Sequence, residues 1–202
     1  APGWQAYVVP SLDSTNAEAL RLLPSAPVLP FYVLAERQTS GRGRRGRSWV
    51  SPFGENIYYS LVLRIEGGMR QLEGMSLAVG LALLQVVRDY GVSSAGLKWP
   101  NDVLVGERKL AGILLELSGD PADVCHVVIG IGLNVNMLAA DSGAIDQPWT
   151  SMRTQLGHQL DRNELVRALN RQLSHYLEIQ LSHGFSVLQD EWQRNHLWQL
   201  RP

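Results

Sequence analysis

Lysine is nearly missing from this chain. Of its 18 cationic side chains, 16 are arginine and only Lys98 and Lys109 are lysine. Cysteine is scarcer still. Cys125 stands alone, inside the apolar run VCHVVIGIG, which reads as a buried strand. One cysteine excludes a disulfide framework within the chain and points to a reducing compartment, the cytoplasm. His126, His158, His175, His183 and His196 are scattered without ligand spacing, which argues against a zinc site. No stretch has the pattern of a signal peptide, and no apolar run is long enough to cross a bilayer, so no membrane partner is expected. Repeats, low-complexity tracts and coiled-coil heptads are absent. The formal net charge is only −1, so nucleic acid, which usually meets a broadly basic surface, is not the expected partner.

What is present is an ordinary globular composition, 45% hydrophobic over 202 residues. That is enough for one domain with a real core. Segment 6–9 reads as a strand, and LDSTNAEALRLL as a helix start in which Asp13, Ser14 or Thr15 caps the free amides. Segments 31–36 and 56–65 are strands. Segment 72–91 is a buried helix stopped by Gly91. Strands at 96–99, 102–105, 109–117 and 124–135 follow one another without intervening helices. Segment 139–151 is a loop. Segment 161–184 is a helix opening on Asp161 and Glu164 at capping-box spacing, and 185–196 is a final helix. Consecutive strands predict an α+β fold with a mixed, largely antiparallel sheet flanked by helices.

Against the neutral background, Gly41 to Arg47 packs four arginines and three glycines into seven residues. Gly41, Gly43 and Gly46 let the backbone approach a ligand closely, and consecutive amides in such a loop can form an anion-binding nest. Arg42, Arg44, Arg45 and Arg47 can fork onto carboxylate or phosphate oxygens. Without an anion the loop should repel itself and stay mobile. A solvated basic turn, or a nucleic-acid contact, is the plainer reading of the same residues.

Three further stretches carry chemistry. In KWPND, Pro100 makes Trp99 extended. Lys98 is placed toward a phosphate, and Asn101 and Asp102 toward a hydrated Mg²⁺. The same residues are also turn chemistry. In RKLAGILLE, Ala111 and Gly112 thin a strand just after Lys109, as happens where a ligand or another backbone comes close. In GIGLNV two glycines, beginning at Gly130, thin the next strand, and Asn134 supplies an amide.

Taken in order, DSTN, Gln38, GRGRRGRSW, KWPND, KLAGILLE and GIGLNVN resemble the catalytic domain of bacterial biotin–protein ligases over essentially the whole chain. The resemblance implies a sheet-and-helix fold akin to class II tRNA synthetases and lipoate ligases. It implies ATP-dependent adenylation of biotin to biotinyl-5′-AMP, then transfer to one lysine of the biotin carboxyl carrier protein of acetyl-CoA carboxylase, with no covalent enzyme intermediate. It places Ser14, Thr15, Asn16 and Gln38, with the backbone of Gly41 and Arg42, on the ureido group. Trp49, Gly112 and Gly130 would wall the ring and tail. Arg44, Arg47, Lys109 and Lys98 are the expected catalytic cations, the first three on the carboxylate and acyl phosphate. Lys98, Asn101 and Asp102 match the nucleotide–Mg²⁺ stretch, Asn134 the adenosine side, and Trp149 a segment over the adenine. Biotin and ATP are thus the expected substrates, with Mg²⁺.

The resemblance further implies that residues 1–202 form one catalytic domain. A preceding helix-turn-helix is expected not to be present, and a following small β-barrel to be absent or truncated. A homodimer through a sheet edge is common among relatives. A lipoate or octanoate ligase is the nearest rival. The arginine excess has a bland reading in coding bias, and a sharper one in that spare lysines are a liability near a reactive acyl intermediate.

Overall fold

The computed structural model describes residues 3–26, 28–66, 68–120, 122–138 and 145–198. Residues 139–144, part of the segment 139–151 expected to be a loop, lie outside them, as do both chain ends. Seven strands form one sheet: β1 Gln5–Val9, β2 Phe31–Ala35, β3 Ile57–Ile65, β4 Ala95–Lys98, β5 Asp102–Val105, β6 Arg108–Gly119 and β7 Cys125–Leu133, in the spatial order β1-β2-β3-β7-β6-β5-β4. Only β1 and β2 run parallel; the other neighbours pair antiparallel. The expected mixed, largely antiparallel sheet is therefore what forms.

Side-chain alternation splits this sheet into two unlike faces. On β3 and β7 the odd positions, from Ile57 to Ile65 and from Cys125 to Leu133, join the main core with helices α2 (Met75–Asp89) and α4 (Arg162–His183), between which the chain makes the short helix α3 (Met152–Leu156). The even positions face the other way. There Val62 and Val128 pack with Phe31, Val33 and Ala19 of helix α1 (Thr15–Leu22). That second layer is thin, because the even positions of the central strands also include Ser60, Gly112, Gly130 and Gly132. The gap they leave is where the site sits.

Local signals explain most element ends. Asp161 caps α4 by accepting from the amides of Asn163 and Glu164, while Glu164 turns to Arg167. Gly184, at φ 75°, ends it. The expected helix over 185–196 is instead a single turn, Phe185–Val187, followed by helix α5, Gln189–Asn195. Phe185 is anchored against Gly74, where a Cβ would collide with the ring, and Leu188 is buried. These two anchors break the helical run. At α1 the expected cap is also different. Ser14 holds the capping position but its side chain makes no capping bond. Asp13 accepts from the Ser14 amide at 2.7 Å and grips Arg21 with both oxygens. The Thr15 amide goes to the side chain of Gln38, 2.9 Å away.

The two sheet edges differ. Along β4, Leu197 donates its amide to the Leu97 carbonyl at 2.9 Å and covers Gly96. The β1 edge leaves Val8 66% exposed.

Candidate functional site

A relay of polar side chains floors the gap. Thr15 donates its hydroxyl to Gln38 Oε1 at 3.1 Å, and Gln38 Nε2 donates to Ser51 Oγ at 3.0 Å. From β3, Ser60 Oγ reaches both Thr15 Oγ1 (2.8 Å) and Asn16 Oδ1 (2.5 Å). A hydroxyl carries one proton, so Ser60 serves one of these acceptors at a time. With Asn16 Oδ1 turned to Ser60, its Nδ2 points to Glu116 Oε2 at 2.7 Å on β6. Ser14, Thr15, Asn16 and Ser60 are all buried. Burying hydroxyls and amides is costly unless they are paired, and here they pair mainly with one another, in a ring of fixed donor and acceptor directions.

The glycines make room for side chains as well as for any ligand. A Cβ on Gly130 would overlap the Asn16 amide. Gly112 and Gly132 are cross-strand partners, and the Trp49 indole lies across both. Gly130 lines the inner cavity and also seats Asn16, while Gly132 seats Trp49. Trp49 Nε1 is buried and has no hydrogen-bond partner among the described residues, so it is a donor ready for a ligand acceptor.

Lys109 reaches the same face because of a bulge. By alternation it belongs with Ala111 and Ile113 in the main core. The β5–β6 register slips there: Val103 pairs with Ala111 but Leu104 with Lys109, leaving Leu110 extra. A bulge re-aims the side chains beyond it. Leu110 and Ala111 are both buried in the core, and the Lys109 chain swings over Gly112. Its ammonium lies 2.9 Å from Asp102 Oδ1 and 5.4 Å from the centre of the Trp49 ring.

The arginine loop closes over this floor. Gly43 and Arg47 bond across it at 2.7 Å, and the Trp49 amide reaches the Gly41 carbonyl at 2.8 Å. Arg42 pairs with Glu116 at 3.1 Å, and Arg44 donates to Asn101 Oδ1 at 3.0 Å. Arg45, at φ 57°, holds the left-handed turn with Gly46. Next to the loop, Tyr58 donates its hydroxyl to the Pro52 carbonyl at 2.8 Å, and burial pushes its phenol well above the ordinary value.

Two cavities result. The inner one, about 50 Å³, is bounded by the polar relay, Arg42, Arg44, Asn101 and the glycine strands. The outer one, about 290 Å³, is bounded by Arg47, Asn134, Gln147 and Trp149. Trp49 and Lys109 line both. Trp149 is placed by backbone bonds on either side of it: Pro148 accepts from the Lys109 amide and Thr150 donates to the Lys109 carbonyl, each at 2.9 Å. Asn134 donates to the Thr150 carbonyl at 3.1 Å.

The expected residues thus come together with three exceptions, the first being Asp102, which lines neither cavity and meets the site only through Lys109. Gly41 supports the loop from outside the inner cavity, because its neighbours Trp49, Gln38 and Ser51 leave no space for a side chain. Lys98 lines neither cavity. Its ammonium rests over the Trp198 ring, 4.5 Å from the centre. Ser51, Ser60, Glu116 and Gly132 had been given no role of their own, although Glu116 ends KLAGILLE and Gly132 is the second glycine of GIGLNV.

As a metal centre the site is sparse. No group of three or more His, Cys, Asp or Glu side chains occurs among the described residues. Asn101 spends its amide on Arg44 and on the Ile113 carbonyl. Asp102 is a single carboxylate. That donor set suits a Mg²⁺ carried in by substrate phosphates rather than one caged by protein.

A profile of the Biotin/lipoate A/B protein ligase family matches residues 8–134. The chain is 38% identical over 192 residues to the bifunctional ligase/repressor BirA of Escherichia coli (strain K12), covering 95% of this chain and 59% of that protein. It is 40% identical over 185 residues to a biotin–[acetyl-CoA-carboxylase] ligase of Paracoccus denitrificans, covering 89% of this chain and 76% of that one. Its fold matches a biotin protein ligase from Aquifex aeolicus, solved in complex with biotin and ATP, with a TM-score of 0.82 at 28% identity over 96% of this chain and 79% of that one. The chain spans 59% of the length of its Escherichia coli relative. On sequence and fold together, it belongs to the biotin/lipoate A/B protein ligase family.

Proposed function

We propose that this chain activates biotin with ATP and passes it to the lysine of a biotin carboxyl carrier domain, that of acetyl-CoA carboxylase. The observation that carries this reading is the sharing of Lys109 and Trp49 between two unlike cavities. One has a floor of hydroxyls and amides, which suits a neutral cyclic urea. The other is lined by Arg47, Asn134 and Trp149, which suits a nucleotide. A cation where the two meet lies where a carboxylate would join an α-phosphate. The names of the relatives, and the biotin and ATP bound to the Aquifex aeolicus protein, support the same reading.

A carboxylate oxygen of biotin attacks the α-phosphorus of ATP and pyrophosphate leaves. The acceptor amine then attacks the acyl carbon, AMP leaves with the acyl C–O bonding pair, and the amine loses a proton. The first step brings like charges together. Two unit charges 4 Å apart repel by about 4 kcal/mol at an effective dielectric near 20. Arg44, Arg47 and Lys109 offset that repulsion and hold the charge that develops. Asp102, with Asn101 beside it, is the candidate to meet Mg²⁺, which would supply further charge neutralisation when bound. Ser14, Thr15, Asn16, Gln38 and the backbone of Gly41 and Arg42 orient the urea, and Gly112 and Gly130 keep the strands thin enough for the ring. A cavity of about 50 Å³ is small for such a ligand, so the loop and Trp49 must shift to admit it. Lys98 would have to leave the Trp198 ring to reach a phosphate.

The polar relay favours biotin over lipoate or octanoate, whose inner ends carry no urea. If the protein dimerises through its sheet, the covered β4 edge leaves β1 for that pairing. Among the described residues no helix is long and apolar enough to cross a membrane, and the lone buried cysteine suits the cytoplasm. Pyrophosphate release should appear with biotin plus ATP and not with lipoate or octanoate, and labelled biotin should reach an added carrier domain. Release with lipoate alone would reverse the substrate assignment. No release with any of the acids would overturn the ligase reading.

A further inference from the structure

Glu116 joins the floor of the inner cavity to the loop above it. Its Oε2 accepts from Asn16 Nδ2 at 2.7 Å and from Arg42 Nη2 at 3.1 Å. Asn16 is the buried end of the relay, pressed into the place of a Gly130 Cβ. Arg42 is the first arginine of the loop and stands half exposed. Alternation puts Glu116 on the site face, two positions beyond Leu114, which also lines the inner cavity. A single carboxylate oxygen is thus the meeting point of two elements that are 26 residues apart in sequence.

The consequence follows from hydrogen-bond direction. Asn16 can offer Nδ2 to Glu116 only while its Oδ1 faces Ser60. An amide flipped to satisfy a ligand at the relay would present an oxygen to Glu116, which repels it. The state of the relay therefore decides whether the carboxylate is held in place to receive Arg42. Arg44 closes on a different partner, Asn101, so the loop has two anchors, and only the Glu116 one reports on the relay.

We infer that Glu116 is a positioning residue, a latch through which the Ser60–Asn16 relay holds the basic loop closed. Its role as a loop anchor stands on geometry alone. Its role in biotin affinity rests on the ligase reading above. Glu116 need not touch any reacting atom. Its charge fixes Arg42, and Arg42 carries the backbone that is proposed to meet the urea.

The test separates the two claims. Limited trypsin digestion of the ligand-free protein reads cleavage after Arg45 and Arg47, by mass, in wild type, Glu116→Gln, Arg42→Gln and the double variant. Either single change should speed cleavage about fivefold to tenfold, because a charge-assisted anchor is lost. The double variant should be no faster than the singles, since both remove one contact. Unchanged cleavage in both single variants, or additive acceleration in the double one, would overturn the latch whatever the protein binds. Biotin is then titrated in the activity assay. The KM for biotin should rise about tenfold in Glu116→Gln, with a much smaller change in kcat. An equal loss in kcat with KM unmoved would overturn the positioning role. Wild type that shows no biotin-dependent turnover while the cleavage pattern holds would leave the latch standing and sink the ligase reading instead. Arg42→Gln changes an exposed side chain, so it reports even if Glu116→Gln folds poorly.

Discussion

Gly132→Ala is the substitution on which the site's geometry bears most directly. The added Cβ would lie 2.6 Å from Trp49 Cζ2 and 2.8 Å from Nε1. Carbon atoms in good contact sit about 3.5–4.0 Å apart, so the indole must retreat by roughly 1 Å. It cannot simply slide along the sheet, because the ring also crosses Gly112 and borders Lys109. Overpacking of this kind costs about 1–3 kcal/mol. For a chain near 200 residues that lowers the thermal midpoint by about 2–4 °C per kcal/mol. Starting from a stability of about 5 kcal/mol or more, a loss of 3 kcal/mol still leaves over roughly 95% folded at 25 °C. Activity should fall much further. Trp49 is the wall shared by both cavities, and a misplacement near 1 Å costs on the order of a hundredfold, or about 2.7 kcal/mol of barrier. The assays are a thermal melt and the initial rate of biotin-dependent pyrophosphate release on the same samples. Gly46→Ala is the control, since a Cβ there meets nothing within 4 Å and only the φ of 75° is strained. If Gly132→Ala loses no more activity than its unfolded fraction accounts for, Trp49 is not the shared wall and the two-cavity argument fails.

Three other outcomes are expected. Lys109→Ala should lower adenylation by two orders of magnitude or more while leaving Asp102 without its partner, read by pyrophosphate release and a melt; a wild-type rate would refute its role at the junction. Arg44→Gly removes the Asn101 anchor, so free biotinyl-5′-AMP should escape and label bystander amines, and retention equal to wild type would contradict a closing loop. The Arg21 guanidinium holds the Asp13 carboxyl well below the usual carboxylate range. A depressed folded pKa means a contribution present above about pH 4 and lost as the solution is acidified further. The pair is about half exposed, so the effect is small, and Arg21→Ala should flatten only the acid end of the stability profile.

How much of this was readable beforehand depended on the range of the interaction. Strand and helix positions follow from local patterning, and all seven strands fall where alternation and β-branched runs put them. Asp161 capped as expected because its partners are two and three residues away. The residues of the basic loop and the relay were found through their motifs. Ser60 and Glu116 received no role, because each looks like an ordinary strand residue until the fold sets it beside Asn16. The surroundings of Lys98 were hidden for the opposite reason: its motif is local, but the ring it rests over, Trp198, is a hundred residues downstream. The final helix was drawn too long because only the tertiary contact of Phe185 with Gly74 shows where it breaks.

The bulge at Leu110 would let one of the two lysines stand beside the acyl phosphate of the proposed reaction. An amine attacks an acyl phosphate through its lone pair, and an ammonium has none. Were the β5–β6 register regular, Lys109 would point into the apolar core, where burial disfavours its charge. The extra residue turns it instead toward Asp102, 2.9 Å away, and toward the edge of the Trp49 ring. There it faces a carboxylate and would attract the oxygen anions of the proposed intermediate. Lys98, at the end of β4, is turned to the Trp198 ring and lines neither cavity. The arginines of the loop cannot lose their protons at all in a protein. In the proposed reaction, every cation bordering the two cavities would draw the mixed anhydride in without reacting with it, and the scarcity of lysine would extend the same protection over the rest of the surface.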